Sequence, residues 1–154
     1  MIDVHDLRIG NWVFDGDKAQ FPMQIQTIEE DYVRLNFEWN EGDAWESSPK
    51  ELHGVPLDER MLKLSGFKFN GTGLWKKTVK DREVSINLER NFVSIEAYLK
   101  RLCDCRCTCH GIKYVHQLQN LYREISGHNL NIKLYEPSTP IILSSFLILN
   151  SSLI

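Results

Sequence analysis

The stretch FKFNGTGLWKKTVKDREVSINLERNFVSIEAYLKRL, residues 67–102, decides the fold class. Short polar segments interrupt it at residues 70–71 (NG), 80–82 (KDR) and 89–91 (ERN), and apolar and polar residues alternate between them. A period of two is typical of strands with one buried face, and Asn-Gly is a strong turn signal. The stretch therefore predicts an antiparallel meander of four strands.

The residues before the meander predict a second sheet and a helix. RIGNWVF (8–14), FPMQIQTI (21–28) and DYVRLNFEW (31–39) contain apolar alternation, and Asp15-Gly16 indicates a hairpin. They predict a small antiparallel sheet or a barrel-like N-terminal part. In PLDERMLKLSGF (56–67), Asp58 is an N-cap and Gly66 fits the left-handed position that ends a helix.

The residues after the meander predict an amphipathic helix. In YVHQLQNLYREISG (114–127), apolar residues recur at spacings of three and four, and Gly127 ends the pattern. NLNIKLY (129–135) alternates like a last strand. The chain is thus expected to be one α+β domain over residues 1–134, followed by an apolar tail over residues 135–154 with no charge after Glu136.

The composition is that of an ordinary globular protein, with 42% hydrophobic and 25% charged residues. The formal net charge of −3 conceals an asymmetry: residues 1–66 contain 6 basic and 14 acidic residues, and residues 67–134 contain 12 and 6. The start, MIDVHDLRIGNW, lacks the apolar region of a signal peptide, which predicts a cytoplasmic protein with reduced thiols. The longest apolar run of the tail spans nine residues, whereas a membrane helix needs about 20, so no membrane association is expected.

All four cysteines lie in CDCRCTCH: Cys103, Cys105, Cys107 and Cys109, with His110 beside the last. Thiolates favour zinc or monovalent copper, and the ligands would be the four thiolates or a subset joined by His110 or His116. Alternate residues of a straight strand stand about 6.6 Å apart, so a zinc site requires this segment to coil. The segment also lacks the usual two separated ligand pairs. Zinc is one hypothesis, and exposed or half-buried thiols are the other.

A basic cluster surrounds one turn of the meander. It consists of Lys76, Lys77, Lys80 and Arg82, with Trp75 beside them. Lysine and arginine contact phosphates and an aromatic ring stacks on a base, so the cluster predicts a nucleic-acid surface. A solvated hairpin is the alternative, because the sequence pI of about 5.9 shows no basic excess of the whole domain.

No residue pattern identifies a reaction. His116 lies near the edge of the apolar stripe of the second helix, which favours a packing role, and the other histidines are scattered. NGTG (70–73) is a hairpin turn rather than a phosphate loop. No catalytic residue is predicted. Trp39 and Trp45, which lie among acidic residues, are instead candidate contacts for a protein partner.

Three segments carry a resemblance. LRIGNWV, VPLDERMLKLSGF and YVHQLQNLY with its SGHNL ending resemble a group of uncharacterised small proteins of gut Bacteroides-type bacteria and their phages and prophages. The resemblance covers residues 6 to about 134 in the same order. It implies a mobile-element accessory protein and transfers no activity. The cysteine cluster and the tail depart from the pattern of the group, so the resemblance does not support a metal role.

The first functional hypothesis is therefore a non-catalytic module that binds a host or phage macromolecule. A nucleic-acid-associated regulator that uses residues 75–82 is the second hypothesis, and a thiolate metal-binding protein, with zinc as its ion, is the third.

Overall fold

The computed structural model describes residues 1–16, 21–37, 40–99 and 102–135, with only the backbone at Leu99 and at residues 102–104. These residues form two antiparallel five-stranded sheets and two α-helices. The α+β prediction is confirmed. Trp39, Lys100, Arg101 and tail residues 136–154 lie outside the described ranges.

The first sheet contains β1 (Trp12–Asp15), β2 (Met23–Ile28), β3 (Val33–Asn36), β4 (Trp45–Ser47) and β5 (Leu52–Gly54), in the order β4-β3-β2-β1-β5. The predicted alternation buries one face, and its core includes Met23, Ile25, Val33 and Leu35. Short 3₁₀ turns at Val4–Asp6 and Pro49–Glu51 precede β1 and β5. Asp15 is buried at the end of β1, where its carboxylate accepts a hydrogen bond from the Ser47 hydroxyl.

Helix α1 (Glu59–Leu64) connects the sheets, and its predicted ends are confirmed. The Asp58 carboxylate accepts a hydrogen bond of 2.7 Å from the Met61 amide. Gly66 follows the helix with a φ of +86°, a conformation that favours glycine. Met61 and Leu62 are buried, so this short helix is held by packing against the second sheet.

The second sheet is the predicted meander with a fifth strand. It contains β6 (Lys68–Phe69), β7 (Trp75–Val79), β8 (Arg82–Asn87), β9 (Phe92–Leu99) and β10 (Leu102–His110), which pair in chain order. The predicted turn at Asn70-Gly71 is present, with a φ of +81° at Gly71. The cysteine segment forms β10 rather than a coil, and it pairs with β9 with one irregularity between Cys103 and Cys105.

Helix α2 (Val115–Ser126) covers the apolar face of the second sheet. Leu118 and Tyr122 are buried with Val84, Ile86 and Ile95 of the sheet. Burial of a large apolar side chain contributes about 1.5–3 kcal/mol, so this face is the main source of helix stability. Gly127 ends the helix with a φ of +71°, as predicted.

The prediction of a last strand at residues 129–135 is wrong, because this segment is not in either sheet. Leu130 and Ile132 are buried, which accounts for the alternation. The backbone at Lys133 bonds a side chain instead of a strand: its amide donates to Ser65 Oγ at 2.9 Å. The alternation of apolar and polar residues correctly indicated which side chains are buried. It did not indicate whether the segment pairs with a strand.

Each sheet has its own apolar cluster, and Trp12 connects them. Trp12 belongs to β1 of the first sheet, but its side chain lies in the cluster of the second sheet and contacts Tyr135 edge-on at 5.9 Å. The acidic residues 1–66 supply the first sheet and the basic residues 67–134 supply the second. The charge asymmetry of the sequence therefore separates the part of the chain that contains the first sheet from the part that contains the second.

Candidate functional site

The three described thiols of β10 lie in a row along one face of the strand. Cys105, Cys107 and Cys109 stand opposite Ala97, Ile95 and Val93 of β9, so they point to the core side. His110 points to the other face, where its ring lies 5.3 Å from that of Phe92. The strand therefore does not bring His110 together with the thiols. Within the part of the chain that the structure describes, no group of three or more metal-ligating side chains could hold an ion.

Cys109 has a shifted pKa. Burial raises its pKa, and the neighbouring Cys107 and Glu124 raise it further. A raised pKa disfavours the thiolate, which is the form that binds metals and acts as a nucleophile. Zinc binding stays a prediction, but the geometry of the described thiols and the raised pKa of Cys109 do not favour it.

The predicted basic cluster is divided by the sheet. Lys76 and Lys77 are consecutive residues of β7 and point to opposite faces. Lys76 Nζ lies 3.0 Å from Glu83 Oε1 on the outer face. Lys77 Nζ donates to the Ser65 carbonyl on the core side, and burial lowers its pKa, with Lys133 lowering it further. The ammonium groups of both lysines therefore contact other groups of the protein.

The other predicted nucleic-acid contacts do not join them on one surface. Trp75 is only 5% exposed, and its ring packs at 5.3 Å from that of Phe69. The structure therefore puts this ring in the core, where it cannot stack on a base. Lys80 is exposed in the turn after β7, and Arg82 follows it, partly buried, on the core side of β8.

Trp45 is the member of the predicted tryptophan pair that the structure describes. It lies on β4, an edge strand, and is 36% exposed. Beside it, Glu46 Oε1 lies 3.3 Å from Arg34 Nε on the neighbouring strand. Trp39 lies outside the described residues, so this surface is described only in part.

Two histidines that seemed unrelated in sequence share a small cavity of about 190 Å³. His53 and His116 line it together with Asp6 and Tyr114. His116 is 3% exposed, its ring stacks on that of Tyr114, and its buried Nδ1 has no hydrogen-bond partner among the described residues. Burial lowers its pKa, against an opposing effect of Asp6. The neutral imidazole is therefore the favoured form.

A larger crevice of about 280 Å³ lies between β1, β2, α2 and the segment after α2. We call it the amide crevice. Two arginines and six amide side chains line it: Arg8, Arg123, Asn11, Gln24, Gln119, Asn120, Asn129 and Asn131. No acidic residue is among the described residues of its lining.

The inner wall of the amide crevice is held by hydrogen bonds between distant segments. Gln119 Oε1 accepts from the Trp12 amide at 3.1 Å, and Gln119 Nε2 donates to the Gly10 carbonyl at 3.0 Å. Asn11 Nδ2 donates to Asn120 Oδ1 at 3.0 Å, and Asn120 Nδ2 donates to the Asp6 carbonyl at 2.6 Å. These bonds fix α2 to the first residue of β1 and to the chain before it.

Sequence reasoning missed the amide crevice and the histidine cavity. The available signal was the polar side of α2, where three amides, Gln117, Gln119 and Asn120, occupy positions that a solvated helix usually fills with charges. Amides bond readily to backbone groups, so this composition indicated a second packing surface. Two segments of the resemblance, LRIGN and HQLQN, meet at this surface.

The described residues leave one long sheet edge. β10 spans nine residues, and among the described strands only β9 pairs with it.

No helix in the described ranges combines the length and apolar character needed to cross a membrane. Comparisons with protein-family models, with curated proteins and with solved structures found no match to this chain.

Proposed function

We propose that this chain is a non-catalytic binding module of a phage or mobile element, which binds an extended segment of a host or phage protein along β10. The observation that carries this proposal is the length of β10 and its position at the sheet edge. The mobile-element origin rests on the resemblance carried by LRIGNWV, VPLDERMLKLSGF and YVHQLQNLY.

An edge strand presents a row of backbone groups on which another strand can add. Strands are usually five or six residues long, and natural edges are shortened, bulged or charged. From Cys105 to His110 the pairing of β10 with β9 is regular. A segment of this length is sufficient for an extended peptide to add a strand by main-chain hydrogen bonds.

The two faces of β10 differ, and this difference would select the partner. Cys107 and Cys109 are half-buried on the core side, whereas Arg106 and Thr108 are exposed on the other face. Arg106 already lies 2.7 Å from Glu96 of β9. A matching segment would therefore alternate small apolar side chains with polar ones.

The other hypotheses have less support. A nucleic-acid surface would need the basic residues at 76–82 on one face, but the two lysines of β7 point to opposite faces. A zinc protein would need the thiols to converge, but those of Cys105, Cys107 and Cys109 are spread along a strand. Metal analysis and titration with nucleic acid test these two hypotheses directly.

The test uses two proline variants of adjacent residues. Consecutive residues of a strand direct their N–H groups to opposite sides. Of the amides of Cys107 and Thr108, one therefore donates to β9 and the other points to the sheet edge, where it is available to a partner strand. Proline has no N–H, so Cys107→Pro and Thr108→Pro each remove one of these groups. Partners are captured from host and phage lysates with the wild type, identified, and reconstituted with the purified variants.

We expect the variant that loses the open donor to keep the wild-type circular dichroism spectrum but to bind its partner about tenfold more weakly, which is about 1.4 kcal/mol. Hydrogen exchange should show new protection over residues 102–110 in the complex. Glu46→Pro, on the edge strand of the other sheet, is the matched control. Protection that is confined to other residues, or unchanged affinity of both folded β10 variants, would contradict the proposal.

A further inference from the structure

The amide crevice has a positive charge in a protein that is negative as a whole. Arg8 and Arg123 line it, and no acidic residue is among its described lining. Neither arginine forms an ion pair with a described residue. We propose that the amide crevice is a binding site for a small phosphorylated metabolite, with the two guanidinium groups as its phosphate ligands.

Arg8 is held in place by groups that leave its charge uncompensated. Its Nη1 donates to the His5 carbonyl at 2.7 Å and to the Leu7 carbonyl at 3.0 Å. Carbonyl oxygens orient the guanidinium without neutralising it, and its other nitrogens remain as donors. A planar, oriented guanidinium suits a phosphate group, which it can bind through two parallel hydrogen bonds.

Arg123 supplies the second charge from α2. It is exposed, and its side chain has no hydrogen-bond partner among the described residues. Arg123 lies on the same helix as Gln119 and Asn120, so its backbone is held in a fixed position next to the inner wall. The wall is already ordered, so a ligand would not need to order it, and this favours binding.

The rim of the crevice offers groups for the uncharged part of a ligand. Asn129 and Asn131 are exposed, and their amides have no partner among the described residues. Amides donate to and accept from hydroxyl groups, so they suit a sugar. Trp12 also lines the crevice, and its buried Nε1 has no acceptor among the described residues.

The size of the crevice limits the ligand. Its volume of about 280 Å³ is close to the lower limit of about 300 Å³ for drug-sized pockets. A pentose or hexose phosphate is therefore a better match than a dinucleotide. Pentose and hexose phosphates share one phosphate and a small set of hydroxyl groups.

The experiment is isothermal titration of the full chain with ribose 5-phosphate, inorganic phosphate and uncharged ribose. We expect ribose 5-phosphate to bind most tightly, inorganic phosphate more weakly and ribose not measurably. Arg123→Gln should weaken binding of ribose 5-phosphate about tenfold, because a hydrogen bond to a charged group is lost. Arg123 bonds no described side chain, so this variant should keep the wild-type melting temperature.

Arg60→Gln is the matched control, because Arg60 is an exposed arginine of α1 that does not line the crevice. It should bind ribose 5-phosphate like the wild type. Three outcomes would overturn the proposal: no saturable binding of either phosphate compound, equal binding of ribose and ribose 5-phosphate, or equal loss in the Arg60 and Arg123 variants. None of these outcomes bears on partner binding at β10, so the two proposals fail separately.

Discussion

At the scale of single residues, His116 illustrates how packing selects one protonation state. Its ring is stacked on Tyr114 and removed from solvent, and this burial lowers its pKa. The folded protein therefore binds this proton less readily than the unfolded chain, whose imidazole titrates near pH 6.5. The contribution of His116 to stability is complete above that pH and decreases as the pH falls towards the lowered pKa.

We expect the wild type to lose stability between about pH 7.5 and about pH 5.5, and His116→Phe to lose less, because phenylalanine keeps the aromatic contact but does not titrate. Urea denaturation at the two pH values measures the difference. His53, which shares the cavity and is exposed, provides a control variant, His53→Phe, that should retain the wild-type decline. An equal decline in the wild type and His116→Phe would contradict this account.

Gly54 has no room for a side chain, because Tyr114 packs against it. A Cβ atom at this position would lie 2.6 Å from Tyr114 Cγ, closer than real Cβ atoms approach other atoms. We expect Gly54→Ala to lower the free energy of unfolding by about 1–3 kcal/mol, the usual cost of overpacking. Gly42→Ala, whose Cβ would lie 3.5 Å from its nearest neighbour, is the control and should be close to neutral.

At the scale of elements, α2 has two packing surfaces. Its apolar stripe covers the second sheet, and its amides bond the chain before β1. We expect Gln119→Leu to reduce stability by about 1–3 kcal/mol, because the Trp12 amide loses its acceptor and the Gly10 carbonyl keeps only the weaker bond from Gln24. Urea denaturation should show a much smaller effect for Glu124→Gln, an exposed position of the same helix. Similar effects of the two variants would mean that the amide bonds contribute little.

Strand β10 leads to a prediction about metal. Its described thiols follow one another along one face of the strand, and the raised pKa of Cys109, which burial and the neighbouring Cys107 cause, keeps that thiol protonated. We expect protein purified under reducing conditions to contain less than one equivalent of zinc. A variant with all four cysteines changed to serine should give the same value. One equivalent in the wild type and none in the variant would instead establish the predicted metal site.

Local patterns predicted the elements, but not the sites. The turn at Asn70-Gly71, the cap at Asp58 and the stop at Gly127 depend on neighbouring residues, and the structure contains all three. The amide crevice joins Asn11 to Asn120, which no periodic pattern relates. The segment at residues 129–135 shows the same limit, since its alternation indicates which side chains are buried but not whether the backbone pairs with a strand.

At the scale of the whole molecule, Trp12 links two apolar clusters into one structure. Its backbone pairs in the first sheet while its side chain packs in the second cluster. We expect Trp12→Ala to lower stability by about 3–5 kcal/mol, the usual cost of removing a buried large aromatic ring. In the wild type, urea transitions followed by fluorescence and by circular dichroism should coincide. Ile9→Ala, at an exposed residue nearby, should change stability by less than about 1 kcal/mol.

The division of charge between the two sheets gives the molecule a dipole moment, with its negative end at the first sheet and its positive end at the second. A charged partner exerts a torque on such a molecule before contact, so encounters occur in a preferred orientation. An anionic partner would approach the end that carries the second sheet. This alignment weakens as salt shortens the range of the field to about 8–10 Å.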